Sequence, residues 1–166
     1  GGIVGVQAAS LILREAVEHP AVNHVATVPG MDGPAVAFLA ELSISCLLML
    51  AILTVSNTPR VARYTGLCAG LLVMTYIVLE APLSGMSMNP ARSLGSAVAA
   101  GAWHDLWIYW TAPPLGMLLA AELYVRLRGR ASVRCAKLHH PKRGSCIFAC
   151  RFGEASHLEA RAQVAA

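Results

Sequence analysis

The residues with the clearest chemical role form the run Asn89-Pro90-Ala91-Arg92. Pro90 suits the first turn of a helix, because the N–H that proline lacks would have no helical partner there. Asn89 is a favoured N-cap residue. The run therefore predicts a short helix that starts at Asn89 and continues over about ten residues, 91–100. It also places an amide and one fixed positive charge at the helix start.

A second group with possible chemistry lies in the C-terminal tail, residues 131–166, and consists of Cys135, His139, Cys146 and Cys150. Thiolates and imidazoles bind zinc, and a Cys₃His set would suit a closed tetrahedral site in a reducing cytoplasm. The C-x₃-H and C-x₃-C spacings are not those of a standard zinc finger. Zinc binding, free thiols in a basic tail, and a redox or lipidation role stay open as alternatives.

The composition indicates that these residues belong to a membrane protein. Of the 166 residues 56% are hydrophobic and 13% are charged, whereas soluble domains have about 25% charged residues. The mean hydropathy is +0.57. The net charge of +4 does not indicate nucleic-acid binding, because the basic residues adjoin apolar runs. Five cysteines, two of them (Cys46 and Cys68) in apolar runs, argue against a secreted disulfide framework.

Three apolar segments are long enough to cross a hydrocarbon core of about 30 Å. They cover residues 35–55, 64–82 and 106–125. The apolar run at 1–13 is shorter and predicts part of a helix. No Met and no signal peptide precede it, so we expect that its start lies upstream of this sequence. Residues 19–34 are rich in Pro and Gly and predict an exposed loop.

The distribution of Lys and Arg predicts the orientation of the spans. The loop at 56–63 has two, the tail from Arg126 to Arg151 has eight, and residues 80–105 have only Arg92. By the positive-inside rule, the loop at 56–63 and the C-terminus are cytoplasmic. The loop at 19–34 then opens to the other side.

Residues 83–100, here called the re-entrant segment, form neither a clean span nor a soluble loop. They are rich in small residues and interrupted at Gly85 and Pro90, just after Pro82. We expect a half-span that enters the membrane and turns back. Non-helical backbone at membrane depth persists where it lines a water-filled cavity or is buried in protein, so the carbonyls of residues 85–88 are predicted to face a pore. The alternative is an ordinary extracellular Asn-Pro turn.

The run SGMSMNPARSLGSA, placed between two long spans, resembles the second Asn-Pro-Ala re-entrant loop of the aquaporin (major intrinsic protein) family. The likeness extends over nearly all of residues 1–130. Glu41 in FLAEL matches the glutamate of the family's fourth helix, and Tyr109 and Trp110 in IYWTAP match its sixth-helix aromatics. The resemblance implies an all-α, aquaporin-like helical bundle that comprises the second inverted repeat, part of the third helix and a re-entrant half-helix. The sequence has no first Asn-Pro-Ala, so we expect a fragment that lacks the first half of the repeat; a truncated, non-conducting product is the alternative.

The resemblance further implies a channel subunit, not an enzyme, for the passive passage of water and small neutral solutes. Its implied partners are those solutes, the lipid bilayer and three further copies in a homotetramer, with no nucleic acid. The implied location is the cell membrane, plasma or inner, with several spans and a cytoplasmic C-terminus. No cofactor is expected beyond the zinc alternative in the tail. The implied pore and selectivity residues are Asn89, Pro90, Ala91, Arg92, Ile77, Met86, Gly85, Ser87 and Met88.

Two residues carry the finer predictions about this pore. Ile77 matches a filter position where strict water channels usually have His, which resembles the nodulin-26-like branch; a shift of one residue would place Tyr76 there. Glu41 is predicted to accept hydrogen bonds from the re-entrant backbone, with a carboxylate that extends to water from a helix end as the alternative.

Other positions resemble water channels, namely Ser93, where glycerol facilitators have Asp, small Ala97, and the Tyr109-Trp110 pair. Because Ile77 resembles the nodulin-26-like branch instead, a glycerol- or metalloid-type channel is the first alternative function. A membrane-anchored Cys/His protein that binds metal or senses redox state is the second.

Overall fold

The computed structural model describes residues 1–133. Within that range the chain is helical with no β-strand, so the predicted all-α class is confirmed. The helices are α1 (Gly2–Leu13), α2 (Glu15–Glu18), α3 (Pro34–Ser56), α4 (Thr65–Leu79), α5 (Ala81–Ser84), α6 (Pro90–Ala100) and α7 (Leu106–Arg128). Single 3₁₀ turns lie at Asn23–Val25, Ala62–Tyr64 and Arg130–Ser132.

Helices α3 and α7 form the most extensive helix pair. Their close approach depends on Gly116, where an added Cβ would lie 2.3 Å from the Leu42 carbonyl oxygen. Small residues at such a crossing let two backbones pack directly, as is common in membrane helices. The buried residues at this interface are Ala37, Ile108, Tyr109 and Ala112. The pair is the frame against which the re-entrant segment packs.

The second predicted span, 64–82, is not one helix. Helix α4 ends at Leu79, and the chain turns at Glu80 before the short helix α5. Pro82 explains the break, because it cannot donate the backbone hydrogen bond that would continue α4. The turn brings the Glu80 side chain to a buried position, 5% exposed.

Two helical stretches are long and apolar enough to cross a membrane, Pro34–Ser56 and Ala62–Leu79. Helix α7 has 23 residues and ends three residues beyond the predicted 125, but it is not among them. Its Trp, Tyr and Pro residues dilute its apolar character. Many large apolar side chains face outward, including Leu11, Ile12 and Val78, which suits contact with lipid better than contact with water.

Helix α1 packs on the half-helix α6. An added Cβ on Gly95 would lie 2.8 Å from the carbonyl carbon of Gly2, so the two backbones touch. Helix α6 ends at Gly101, whose φ of 68° is left-handed, a conformation that glycine adopts without steric cost. The half-helix therefore has a defined end as well as a defined start.

The loop at 19–34 is less exposed than the sequence predicts. Thr27 is 6% exposed, and the Gly30 N–H donates a hydrogen bond to the Leu83 carbonyl at 2.8 Å. An added Cβ on Gly30 would lie 2.0 Å from the Pro82 oxygen. The end of this loop thus packs on the start of the re-entrant segment.

Candidate functional site

The half-helix α6 starts at Asn89, which is extended at φ −149° and ψ 108°. Its Oδ1 accepts hydrogen bonds from the backbone N–H of Ala91 at 2.9 Å and of Arg92 at 3.4 Å, which is the geometry of an N-cap. Pro90 occupies the first helical turn, as expected. Because the oxygen faces the helix, the amide NH₂ is left to donate elsewhere, and the Asn89 side chain is exposed.

The backbone before Asn89 is turned by three left-handed residues, Gly85 at φ 76°, Met86 at φ 48° and Met88 at φ 50°. Left-handed backbone is unfavourable for a residue with a side chain and costs about 1–3 kcal/mol where it occurs. Surrounding hydrogen bonds must therefore hold these residues in place. Gly85 is also constrained by space, because an added Cβ would lie 3.0 Å from the Thr27 Cα.

Glu41 supplies most of that support. Its side chain is fully buried and accepts three hydrogen bonds, from the Ser84 hydroxyl at 2.7 Å, the Ser87 N–H at 2.6 Å and the Met88 N–H at 2.8 Å. A buried carboxylate is tolerated only with such donors. With no exposed surface, the carboxylate does not extend to water, and it binds backbone N–H groups of the re-entrant segment.

Arg92 binds the same loop from the other side. Its Nη1 donates to the Met86 carbonyl at 2.6 Å. The Met86 carbonyl, predicted to face a pore, is thus taken up by the guanidinium. The fork of an arginine carries five N–H donors, so one such bond leaves further donors available on the half-buried side chain.

An open cavity of about 340 Å³ lies beside this loop. It is lined by Leu48, Val73, Ile77, Met86, Ser87, Met88, Asn89 and Arg92. The structure therefore brings together the three predicted filter residues Ile77, Met86 and Arg92 with Asn89. Gly85, Pro90 and Ala91 are not among the lining residues.

Ile77 and Tyr76 occupy different surroundings. Ile77 is 55% exposed and lines the cavity, whereas Tyr76 is 8% exposed and packs with Ile44, Met86 and Met88. The structure therefore places Ile77 on the cavity and Tyr76 in the core. The cavity then has an apolar side on α3 and α4 and a polar side on the re-entrant segment.

A chain of three hydroxyls lies behind the loop, and the sequence did not suggest it. Thr27 Oγ1 and Ser93 Oγ are 2.6 Å apart, and so are Ser93 Oγ and Ser87 Oγ. Ser87 Oγ in turn donates to the Asn89 carbonyl at 3.0 Å. The density of serines near Asn89 could have indicated a hydroxyl cluster. Nothing in the sequence indicates that Thr27, 66 residues before Ser93, belongs to it.

Two more residues support the segment in ways the sequence did not suggest. The Tyr109 hydroxyl, fully buried, donates to the Ser84 carbonyl at 2.6 Å. Ser84 Oγ also accepts the Met86 N–H at 3.1 Å and contacts the Glu80 carboxyl group. Trp110, the neighbour of Tyr109 in the aromatic pair, is 51% exposed.

The predicted tail ligands Cys135, His139, Cys146 and Cys150 lie outside the described residues, and zinc binding there stays a prediction. Within residues 1–133 no group of three or more His, Cys, Asp or Glu could hold a metal ion. Cys46 and Cys68, in the apolar helices, are free thiols.

An apolar helical bundle that holds a half-helix start beside a cavity suits a membrane protein with a re-entrant loop. Residues 1–124 match the family model described as major intrinsic protein, and the chain belongs to that family. The predicted resemblance to the aquaporin family is confirmed.

Three relatives give the comparison its detail. The chain is 38% identical to putative aquaporin NIP4-1 of Arabidopsis thaliana over 121 residues, 72% of this chain and 42% of the relative. It is 41% identical to aquaporin NIP3-1 of Zea mays over 116 residues, 68% and 38% respectively. It is 36% identical to aquaporin NIP6-1 of Arabidopsis thaliana over 125 residues, 75% and 41%. These NIP relatives agree with the nodulin-26-like resemblance, and the chain spans about two fifths of their length.

Proposed function

We propose that this chain supplies the Asn-Pro-Ala-Arg side of a membrane pore for water and small uncharged solutes. The cavity supports the proposal, because one open space is bordered by the Asn89 amide, the Arg92 guanidinium and the apolar Ile77 side chain. A passing neutral molecule exchanges hydrogen bonds with the two donors. The apolar wall offers it no competing partner.

Charge selectivity follows from the same groups. The start of a helix carries about half a positive elementary charge, and Arg92 adds a full one beside it. A cation, hydronium included, meets this barrier without an anionic partner on the cavity surface, whose lining residues include no carboxylate. Neutral solutes are unaffected by it. Such a site carries out passage and no covalent chemistry, which suits a channel and not an enzyme.

The test is water permeability in lipid vesicles that contain the protein, followed by stopped-flow light scattering after an osmotic step. Shrinkage should be faster than in empty vesicles. Arg92→Ala should raise the cation leak. Arg126→Ala is the matched control, because Arg126 is 75% exposed and pairs with Glu122 on the same helix. Equal shrinkage with and without the protein would refute the channel.

A second candidate is a channel for larger neutral solutes such as glycerol or uncharged metalloid acids. The apolar side of the cavity favours it, because Ile77, Leu48, Val73 and Met86 can contact the carbon skeleton of a polyol. Ile77→His should then lower glycerol uptake relative to water, whereas Ile77→Val keeps the wall apolar and should not. Equal glycerol-to-water ratios in both variants would exclude Ile77 from the filter.

Membership of the family makes the chain a membrane protein. We propose in addition that it lies in the plasma or inner membrane with its C-terminus in the cytoplasm, and that it works as a homotetramer. Arg126, Arg128 and Arg130 at the end of α7 support the orientation. Protease access to a C-terminal tag in sealed vesicles of each orientation tests it, and native mass spectrometry tests the subunit number.

A further inference from the structure

Two buried carboxyl groups converge on one serine hydroxyl inside the bundle. Glu41 is fully buried and Glu80 is 5% exposed. Ser84 Oγ lies 2.7 Å from Glu41 Oε1 and also forms a hydrogen bond with Glu80 Oε1. Glu80 reaches this position because the chain turns between α4 and α5, and Ser84 lies four residues further on.

The single hydroxyl proton of Ser84 cannot serve both carboxyl groups if both are ionised. A serine hydroxyl has one hydrogen and can donate it once. Ser84 Oγ already accepts the Met86 N–H at 3.1 Å. If Glu41 and Glu80 were both anions, one carboxylate oxygen would face only the lone pairs of Ser84 Oγ. The three groups therefore need one more proton.

The surroundings decide which carboxyl carries that proton. Glu41 accepts two backbone N–H bonds, from Ser87 and Met88, and these stabilise its charged form. Glu80 has no backbone donor, and its second oxygen, Oε2, is buried without a partner within residues 1–133. A buried anion without donors is far more costly than a neutral carboxylic acid.

We propose that Glu80 is a neutral carboxylic acid that positions the re-entrant segment by donating a hydrogen bond to Ser84. The bonds then run in one direction, from the Glu80 O–H to Ser84 Oγ and from the Ser84 O–H to Glu41. Glu41 on α3 is the charged group that faces Glu80. Tyr109 on α7 and Arg92 on α6 bind the same segment through the Ser84 and Met86 carbonyls. The effect on permeation rests on the proposed function, whereas the protonation state does not.

Ionisation of Glu80 would undo this arrangement. Two anions would then share one hydroxyl, and the Glu80 contact to Ser84 would break. The left-handed turn at Gly85 and Met86 would lose one of its supports. Glu80→Gln keeps a donor at the same place at every pH, because the amide NH₂ does not titrate in this range. The wild type and this variant therefore differ in pH dependence and not in the neutral state.

Infrared spectroscopy of the full chain in lipid, with isotope-labelled glutamate, tests the proton directly. At neutral pH the wild type should show the C=O band of a neutral carboxyl group. Glu80→Gln should abolish the band, and Glu122→Gln should not, because Glu122 is an exposed partner of Arg126. Ser84→Ala should leave the band but shift it to higher frequency, since the carboxyl loses its acceptor. No neutral band in the wild type, or a band that survives Glu80→Gln, would overturn the assignment.

Water permeability against pH tests the positioning role. The water permeability of the wild type should fall about two- to tenfold as Glu80 ionises on the alkaline side, because one hydrogen bond is lost. Glu80→Gln should give a flat profile over the same range. Parallel profiles would show that Glu80 does not position the segment. A protein that does not conduct at all would refute the proposed function while the infrared assignment stood.

Discussion

Replacement of Glu41 by alanine should destabilise the protein more than any exposed substitution on its surface. The change removes the acceptor of two buried backbone N–H groups, those of Ser87 and Met88, and of the Ser84 hydroxyl. A buried donor left without a partner costs about 1–3 kcal/mol. The two N–H groups together predict a loss of about 2–6 kcal/mol.

Glu41→Gln separates the charge from the hydrogen bonds. The amide has one oxygen and can serve one of the two N–H groups, so a loss of about 1–3 kcal/mol is expected. Glu122→Gln is the control, because that exposed glutamate forms an i,i+4 pair with Arg126 and such pairs contribute about 0.5 kcal/mol.

The assay is reversible denaturation of the protein in detergent micelles, followed by tryptophan fluorescence. From the most to the least stable, the variants should rank Glu122→Gln, Glu41→Gln and Glu41→Ala. If the unfolding free energy of Glu41→Ala stayed within about 0.5 kcal/mol of that of the control, the re-entrant segment would not depend on this carboxylate.

Three further changes test other contacts. Gly116→Val should separate α3 from α7, because an added Cβ meets the Leu42 oxygen. The free energy of unfolding should fall by at least about 1–3 kcal/mol. Gly66→Ala is the control, because a Cβ added there meets nothing within 4 Å. Asn89→Asp keeps the cap but loses the amide donor, so water permeability should fall and cation leak rise while the melting temperature stays near that of the wild type. Thr27→Val should cost about 1 kcal/mol, measured by thermal unfolding, through its lost hydroxyl bond; an unchanged melting temperature would remove that bond from the account.

The parts of the structure that the sequence predicts well depend on local chemistry. The apolar run at 35–55 corresponds to Pro34–Ser56, because length and hydropathy decide a membrane helix without reference to its neighbours. The start of α6 at Asn89 follows from an N-cap residue followed by proline. The predicted span extends to Pro82, three residues past the end of α4 at Leu79, because the sequence shows the proline but not how far before it the helix ends.

The remaining parts depend on contacts between distant segments. Thr27 lies in a loop that the sequence predicts to be exposed, and it contacts Ser93, 66 residues later. Glu80 falls inside the predicted span 64–82, and only the turn before α5 directs it to Ser84. Neither contact has a periodic or compositional signal, so no reading of local pattern could have found them.

The re-entrant backbone explains why so many elements converge on it. Non-helical backbone in apolar surroundings has no water to satisfy its N–H and C=O groups, so side chains from separate elements must replace the partners that a helix would supply. Three carbonyls accept a hydrogen bond each: Leu83 from the Gly30 N–H, Ser84 from the Tyr109 hydroxyl and Met86 from Arg92. Four backbone N–H groups donate to side chains: Met86 to Ser84, Ser87 and Met88 both to Glu41, and Asn89 to Ser87. With these groups paired inside the protein, the Asn89 amide NH₂ is a donor that the described residues leave unused. Asn89 lines the same cavity as Arg92 and Ile77, and under the proposed function a passing neutral molecule would accept this hydrogen bond.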